Sequence, residues 1–207
     1  MKCALILDVI RDLVIKGAFF VILTYLLVFA YNTGVFSRDF YRLGLYFGRV
    51  SLVLYLLTLL PGICRRLSLK HQLVSLLTLY RRQVGIVMYI FAILHALLFA
   101  SFSLKIPIFR LFGILAFLTL APLFITSNNY AVKKLKQSWK TIHQLTYPAL
   151  GLIFLHTALN HWSIFSIATL ITLIFLLASF LYEYRSTIKT LSLANSGRST
   201  TGFRKKF

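Results

Sequence analysis

Residues 138–156, SWKTIHQLTYPALGLIFLH, decide the fold, because they lead from a lysine-rich segment into an apolar block that contains two histidines. These are His143 and His156, thirteen residues apart, and a third histidine, His95, lies in the middle of another apolar block. Imidazole is costly inside the hydrocarbon of a membrane and usually has a partner there. Three such histidines favour a cofactor bound between membrane helices, and haem is the best candidate.

The composition is that of a membrane protein. The chain has 207 residues, 59% hydrophobic and 13% charged, with 23 Lys and Arg against four Asp and Glu. Ordinary soluble domains have about 25% charged residues. Here the charges are absent from long blocks and crowded between them, which is typical of a multi-span protein. The +19 charge therefore indicates topology. A nucleic-acid-binding face would need exposed basic residues among stacking aromatics, and these aromatics lie inside the apolar blocks.

Six apolar blocks are long enough to cross a hydrocarbon core about 30 Å thick. They lie between Lys16 and Arg38, from Gly44 to Cys64, between Arg82 and Lys105, from Phe109 to Ile125, and twice within residues 141–182, with a fold at residues 160–163. The sequence predicts an all-α membrane protein, with a six-transmembrane-helix bundle in residues 1–184. Residues 185–207 are predicted to be a basic, mobile cytoplasmic tail, because they are rich in Ser, Thr, Lys and Arg.

The basic residues between the blocks predict the orientation. Eighteen of them fall on the side of the amino terminus and five fall on the other side. Because cytoplasmic loops of membrane proteins carry the excess of Lys and Arg, both termini are predicted to be cytoplasmic.

His95 and His156 lie at similar predicted depths. Their spans both start at the cytoplasmic side, and the two residues are roughly 18 and 22 Å from that edge at 1.5 Å per residue. A haem with two axial histidines needs this arrangement, and such ligation suits electron transfer. The alternative is that each imidazole only donates a hydrogen bond to a neighbouring helix and binds no cofactor.

His143 lies near the inner edge of its span, so it is either a cofactor ligand or an ordinary interfacial histidine. Trp139, His143 and Tyr147 have the spacing of one helix face. On a straight helix, His143 and His156 point roughly 140° apart. Pro148 lies between them and can kink the helix.

Arg81 and Arg82 are predicted at the level of His143. Arginine stays protonated and is a poor iron ligand, but it pairs well with a haem propionate or a flavin phosphate. The alternative is an ordinary basic boundary of the membrane span.

With these residues in place, the chain resembles the ferric-reductase-like transmembrane family, and within it the haem-binding membrane subunits of bacterial methionine sulfoxide reductase systems. The resemblance covers roughly residues 45–160. It rests on Gly48-Arg49, on Arg81-Arg82 followed by Gly85 and His95, on Thr126-Ser127, and on Trp139, His143, Tyr147 and His156. One departure is Lys136, which stands where the family pattern leads us to expect a glycine.

The resemblance implies one or two b-type haems held by His95, His143 and His156 in a multi-pass protein of the bacterial inner membrane. It implies that electrons pass from a cytoplasmic flavin reductase or quinol donor to a periplasmic molybdopterin reductase that repairs oxidised methionines. FMN or a quinone is a possible second cofactor. Because the sequence has no Gly-rich phosphate loop, we expect a separate electron donor.

Two other functions stay open at this point. The first is the membrane component of a ferric or other metal reductase, which has the same haem core but a different electron acceptor. The second is a six-span transporter or scaffold without a cofactor, which would need polar residues along a pathway.

Overall fold

In a computed structural model of the protein, residues 38–69, 71–100 and 107–201 are described, and side chains are described for residues 41–69, 71–99 and 107–189. The regular structure in these ranges is helical. The helices are α1 (Arg38–Arg66), α2 (Gln72–Ala100), α3 (Ile108–Ile125), α4 (Asn129–Leu135), α5 (Gln137–His143), α6 (Thr146–Asn160) and α7 (Ile164–Thr201). The first predicted span, between Lys16 and Arg38, lies outside the described residues.

Four of the described helices are long and apolar enough to cross a membrane. The four segments are Tyr41–Arg66, Gln72–Phe99, Ile108–Ile125 and Ile164–Lys189. The structure thus confirms an all-helical membrane protein with four candidate spans in its described part. Helix α6 has 15 residues and is shorter than these spans, and the chain folds back at residues 161–163 as predicted. The total of six spans and the cytoplasmic location of the termini stay predictions.

Helix α2 begins at Gln72, well before its predicted start after Arg82. The intervening residues contain no glycine or proline, so nothing in the local sequence ends the helix where the apolar block ends. The ring Nδ1 of His71 accepts a hydrogen bond from the N–H of Leu73 at 3.2 Å, in the first turn of α2. Arg81 and Arg82 therefore lie within a helix and not in the loop where the sequence placed them.

The predicted fifth span is divided after His143 and is not simply bent at Pro148. Proline has no N–H for the carbonyl of the residue four positions earlier, here Gln144, and its ring crowds that carbonyl. The Gln144 carbonyl accepts from the N–H of Tyr147 at 2.9 Å instead, and the hydroxyl of Thr146 donates to the His143 carbonyl at 2.7 Å. Pro148 therefore lies in the first turn of α6, where proline is tolerated.

The described helices pack as two pairs, α1 against α2 and α3 against α6, and α7 covers α1 and α6. Tyr55, Leu59, Leu120 and Leu150 are among the residues of the shared apolar core. Within the described part, α2 and α6 do not pack along their lengths. Helices α2 and α6 thus belong to different helix pairs of the bundle.

Helix α7 continues to Thr201, beyond the domain boundary that the sequence predicts at residue 184. The first part of the predicted tail is therefore helical in the described structure. The mobility of the tail stays a prediction.

Lys136 joins α4 to α5 with φ 48° and ψ −112°. This left-handed half of backbone space favours glycine, since a Cβ atom is crowded there. A glycine is the residue that the family pattern leads us to expect at this position.

We expect Lys136→Gly to raise the free energy of unfolding by about 1 kcal/mol, because the release of backbone strain outweighs the extra freedom of glycine in the unfolded chain. The unfolding midpoint in mixed detergent micelles measures this. Lys136→Ala is the control, because it removes the same amine but keeps Cβ. An equal gain in the alanine variant would show that the side chain, and not the backbone, is responsible.

Candidate functional site

The rings of His95 and His156 face each other between α2 and α6. Their centres are 6.3 Å apart and their planes are inclined at 79°. Both side chains are half-buried. The structure thus brings together the two histidines that the sequence places at similar depth, while their role as cofactor ligands stays a prediction.

Each of the two rings is oriented by a backbone carbonyl of a neighbouring helix. The Nδ1–H of His95 donates to the carbonyl of Gly44 at 2.8 Å, and the Nδ1–H of His156 donates to the carbonyl of Phe109 at 2.8 Å. Because a carbonyl can only accept, Nδ1 carries the proton of each neutral ring and Nε2 keeps its lone pair. This is the pattern of metal-binding histidines, whose other ring nitrogen donates to a carbonyl or carboxylate.

A glycine lies directly behind each ring. A Cβ atom added at Gly48 would be 2.7 Å from Nδ1 of His95, and one added at Gly113 would be 2.7 Å from Nδ1 of His156. Each glycine follows the accepting carbonyl by four residues and therefore lies on the same helix face. We call these two arrangements the imidazole cradles: Gly44 and Gly48 for His95, and Phe109 and Gly113 for His156.

The sequence alone does not indicate that glycines lie behind the two imidazoles. Gly85, which the resemblance includes, lies in open space, because a Cβ atom added there would have nothing within 4 Å. The i, i+4 spacing of Gly44 and Gly48 is the small-residue signal of a helix contact in membranes. Gly113 stands alone in an apolar run and gives no comparable signal.

The cradled pair fits the axial ligands of a haem better than a site for a bare metal ion. Within the described residues, no three or more His, Cys, Asp or Glu side chains are grouped, whereas protein sites for a single metal ion usually have three or four protein ligands. Haem iron takes its axial ligands from the protein. Metal–imidazole bonds of about 2.0–2.1 Å give a separation of roughly 6 Å between ring centres on opposite sides of one metal atom. The observed 6.3 Å agrees with that separation.

An aromatic stack lies on the predicted inner side of His95. The ring of Tyr89 is 4.9 Å from that of Phe117 and 4.7 Å from that of Phe124, and both pairs are stacked. The same three residues line a cavity of about 310 Å³ between α2 and α3, which Ile93 also borders. Their rings occupy space in the inner half of the bundle.

His143 is separate from the cradled pair. Its ring stacks on Trp139 with centres 4.0 Å apart, and its Nε2 lies 3.4 Å from the hydroxyl of Thr126. Trp139 donates its indole N–H to the carbonyl of the same Thr126 at 3.1 Å. Burial, and secondarily the positive charge of Arg81, lower the pKa of His143 to about 4, so the ring is neutral at physiological pH. Whether it binds a cofactor stays a prediction.

Tyr147 does not continue the face formed by Trp139 and His143, because the helix is interrupted after His143. Its hydroxyl accepts a hydrogen bond from Nη2 of Arg66 at 2.6 Å, and its ring packs edge-on against Phe180 at 5.3 Å. Arg66 is the last residue of α1.

The neighbouring arginines of α2 have different surroundings. Arg82 is exposed and donates from Nη1 to the side-chain oxygen of Asn129 at 2.5 Å. Arg81 is half-buried, within electrostatic range of Tyr147 and His143. Only Arg81 is thus directed towards the interior, and a cofactor-binding role for either arginine stays a prediction.

Together these features define a helical membrane protein in which two imidazoles, each fixed by a carbonyl, face each other between helices. The chain belongs to the family described as ferric reductase like transmembrane component, whose pattern matches residues 47–155, more than half of the chain. Members of this family generally bind haem and take part in electron transfer linked to flavin and NADPH. The match includes His95 and His143 and ends one residue before His156.

The chain is also similar to the magnetosome protein MamZ of Magnetospirillum gryphiswaldense. The two are 34% identical over 96 residues, which cover 40% of this chain and 15% of MamZ. The chain therefore spans a small part of the length of that relative.

We expect Gly48→Ala and Gly113→Ala each to lower the free energy of unfolding by about 1–2 kcal/mol, because the added methyl group overlaps a fixed imidazole. The matched controls are Gly62→Ala in α1 and Gly151→Ala in α6, where a Cβ atom meets nothing within 4 Å. In these control variants the free energy of unfolding should be unchanged, or should rise by up to about 1 kcal/mol because alanine has the higher helix propensity. The denaturation midpoints of the four variants in micelles measure these effects. Equal changes in the cradle variants and in the control variants would contradict the cradle geometry.

Proposed function

We propose that the protein is the haem b electron-transfer subunit of an oxidoreductase system in the bacterial inner membrane. In this proposal it passes electrons from a cytoplasmic flavin reductase or quinol to a periplasmic molybdopterin reductase that repairs methionine sulfoxide. The observation that carries the proposal is the facing pair of cradled imidazoles. Membership of the ferric reductase-like family supports the electron-transfer part, and the sequence resemblance supports the part in methionine repair.

His95 and His156 hold the iron through Nε2 in this proposal. A b-type haem supplies reversible one-electron exchange when it is bound. The carbonyls of Gly44 and Phe109 keep the proton on Nδ1, prevent the rings from turning and increase the basicity of Nε2. With an imidazole of the protein on each side, the bound group would be suited to electron transfer and not to the binding of oxygen or substrate.

We propose a single haem for the described bundle. His143 is neutral, but its ring is stacked on Trp139 and its Nε2 is next to the hydroxyl of Thr126. The half-buried side chain near it on α2 is Arg81, which is a poor iron ligand.

The second candidate is the membrane component of a ferric or other metal reductase. The family description favours it, because ferric reductase is the activity after which the family is named. The haem ligands would be the same, and the acceptor would be a metal complex and not a periplasmic enzyme. The two functions can be distinguished by measuring whether the pre-reduced protein transfers electrons to a metal complex or to a periplasmic enzyme.

We expect His95→Ala and His156→Ala each to lose at least about 90% of the haem absorbance, since loss of a ligand and its cradle removes most of the binding free energy. Purified protein from cells supplied with haem precursor, measured by its Soret band per mole of chain, tests this. His71→Ala and His161→Ala are the controls, because both side chains are exposed. A full Soret band in both ligand variants would refute the assignment, and its absence in the wild type would refute the haem.

We expect His143→Ala to keep the haem content of the wild type at one per chain, because the ring already has other partners. A pyridine haemochrome assay against total protein measures the content. Two haems per wild-type chain, with one lost in His143→Ala, would contradict the single-haem proposal while leaving the ligand roles of His95 and His156 intact.

A further inference from the structure

An arginine cluster, in which the side chain of Arg66 is the most buried, lies at the end of the bundle opposite the imidazole cradles. It consists of Arg65 and Arg66 at the end of α1 and Arg81 in α2, which lie within electrostatic range of one another. The chain has four acidic residues, and Glu183 is the one whose side chain lies in the described part. Three cations therefore face a single described carboxylate, and positive charge at this place is not compensated by the described residues.

The surroundings of the Arg66 side chain show this excess of positive charge. Its side chain is only 9% exposed, whereas Glu183, to which its Nε donates at 3.0 Å, is 57% exposed. Its Nη2 donates to the hydroxyl of Tyr147, and its guanidinium lies 3.8 Å above the ring of Phe180. Its Nη1 is buried and has no hydrogen-bond partner among the described residues. Both N–H bonds of Nη1 are therefore still available to an acceptor.

The acceptor best suited to Nη1 of Arg66 is an anionic oxygen. Buried guanidinium N–H groups prefer carboxylate or phosphate oxygens, with which they form short, charge-assisted hydrogen bonds. Arg81 would add a second positive charge to the same anion. Tyr55 and Tyr147, which also lie within electrostatic range of Arg81, bring hydroxyl groups and no carboxylate to this place.

The position of the cluster favours an anion that belongs to a membrane lipid. Arg66 is the last residue of the membrane-spanning segment Tyr41–Arg66, the level at which lipid phosphates lie. Phe180, which stacks on Arg66, is itself 39% exposed, and Leu177 and Leu181 beside it on α7 are 56% and 62% exposed. Exposed apolar side chains thus lie directly next to the guanidinium of Arg66. The acyl chains of a lipid bound there would need such a surface.

We propose that Arg66 and Arg81 bind the phosphate of an anionic phospholipid, whose acyl chains lie along Phe180 and Leu181. Nη1 of Arg66 donates to a phosphate oxygen, and Arg81 provides the second positive charge. Glu183 competes with the phosphate for Arg66 and limits the affinity. None of these residues is a proposed iron ligand, so the proposal does not depend on the proposed electron transfer.

Native mass spectrometry of the purified full chain tests the proposal. The wild type, transferred to detergent from vesicles of phosphatidylcholine with one part in five phosphatidylglycerol, should retain phosphatidylglycerol in preference to phosphatidylcholine. Arg66→Gln and Arg81→Gln should each weaken this retention by at least about fivefold, the effect of one basic residue near an anionic membrane surface. Arg82→Gln is the matched control, because Arg82 is exposed and bonded to Asn129, and it should retain the lipid as the wild type does.

Glu183→Gln provides a test that does not depend on the stability of the arginine variants. It removes the competing carboxylate but leaves both arginines, so it should increase retention of phosphatidylglycerol. Unchanged retention in Arg66→Gln and Arg81→Gln, or an equal loss in Arg82→Gln, would overturn the proposal. So would displacement of the lipid by FMN or inorganic phosphate at micromolar concentration, because the site would then be specific for a soluble phosphate.

Discussion

The hydrogen-bonding requirement of an imidazole inside a membrane links the site of this protein to its fold. An unpaired polar group in hydrocarbon costs several kcal/mol, so each buried Nδ1–H must find an acceptor on another helix. Gly44 and Phe109 provide their carbonyls, and Gly48 and Gly113 let the rings come close enough. The same contacts join α1 to α2 and α3 to α6, which are the two main helix pairs. Ring orientation and helix packing are therefore fixed together.

The two imidazole cradles have the same construction in different parts of the chain. Residues 44–48 read GLYFG and residues 109–113 read FRLFG, so each cradle begins with the accepting carbonyl and ends in Phe-Gly. In both, one helical turn separates the carbonyl from the glycine, which puts them on one face. The two helix pairs therefore present His95 and His156 in nearly equivalent surroundings, with ring centres 6.3 Å apart.

The opposite end of the bundle has a different chemistry, and Pro148 is the reason. Because proline breaks the hydrogen bonding of the predicted fifth span, α5 and α6 are separate helices, and His143 stacks on Trp139 outside the cradled pair. Tyr147 is directed to Arg66 and not to His143. Imidazoles thus dominate one end of the described bundle and guanidinium groups the other, which suits a redox cofactor at the first end and an anion at the second.

The sequence by itself determined the membrane class, the four described spans, the fold at residues 160–163 and the matched depth of His95 and His156. These follow from hydrophobicity and from the constant rise per residue of a helix, which are local properties. The family pattern also predicted a glycine at position 136, where the backbone of Lys136 has a positive φ. Only the tertiary structure decided which way the rings point, that Gly113 lies behind one of them, and that Arg66 meets Glu183, 117 residues away. Pro148 indicated that the helix of the predicted fifth span is interrupted, but it did not indicate that the interruption follows His143. These features depend on contacts between helices, and no local pattern specifies which faces will meet.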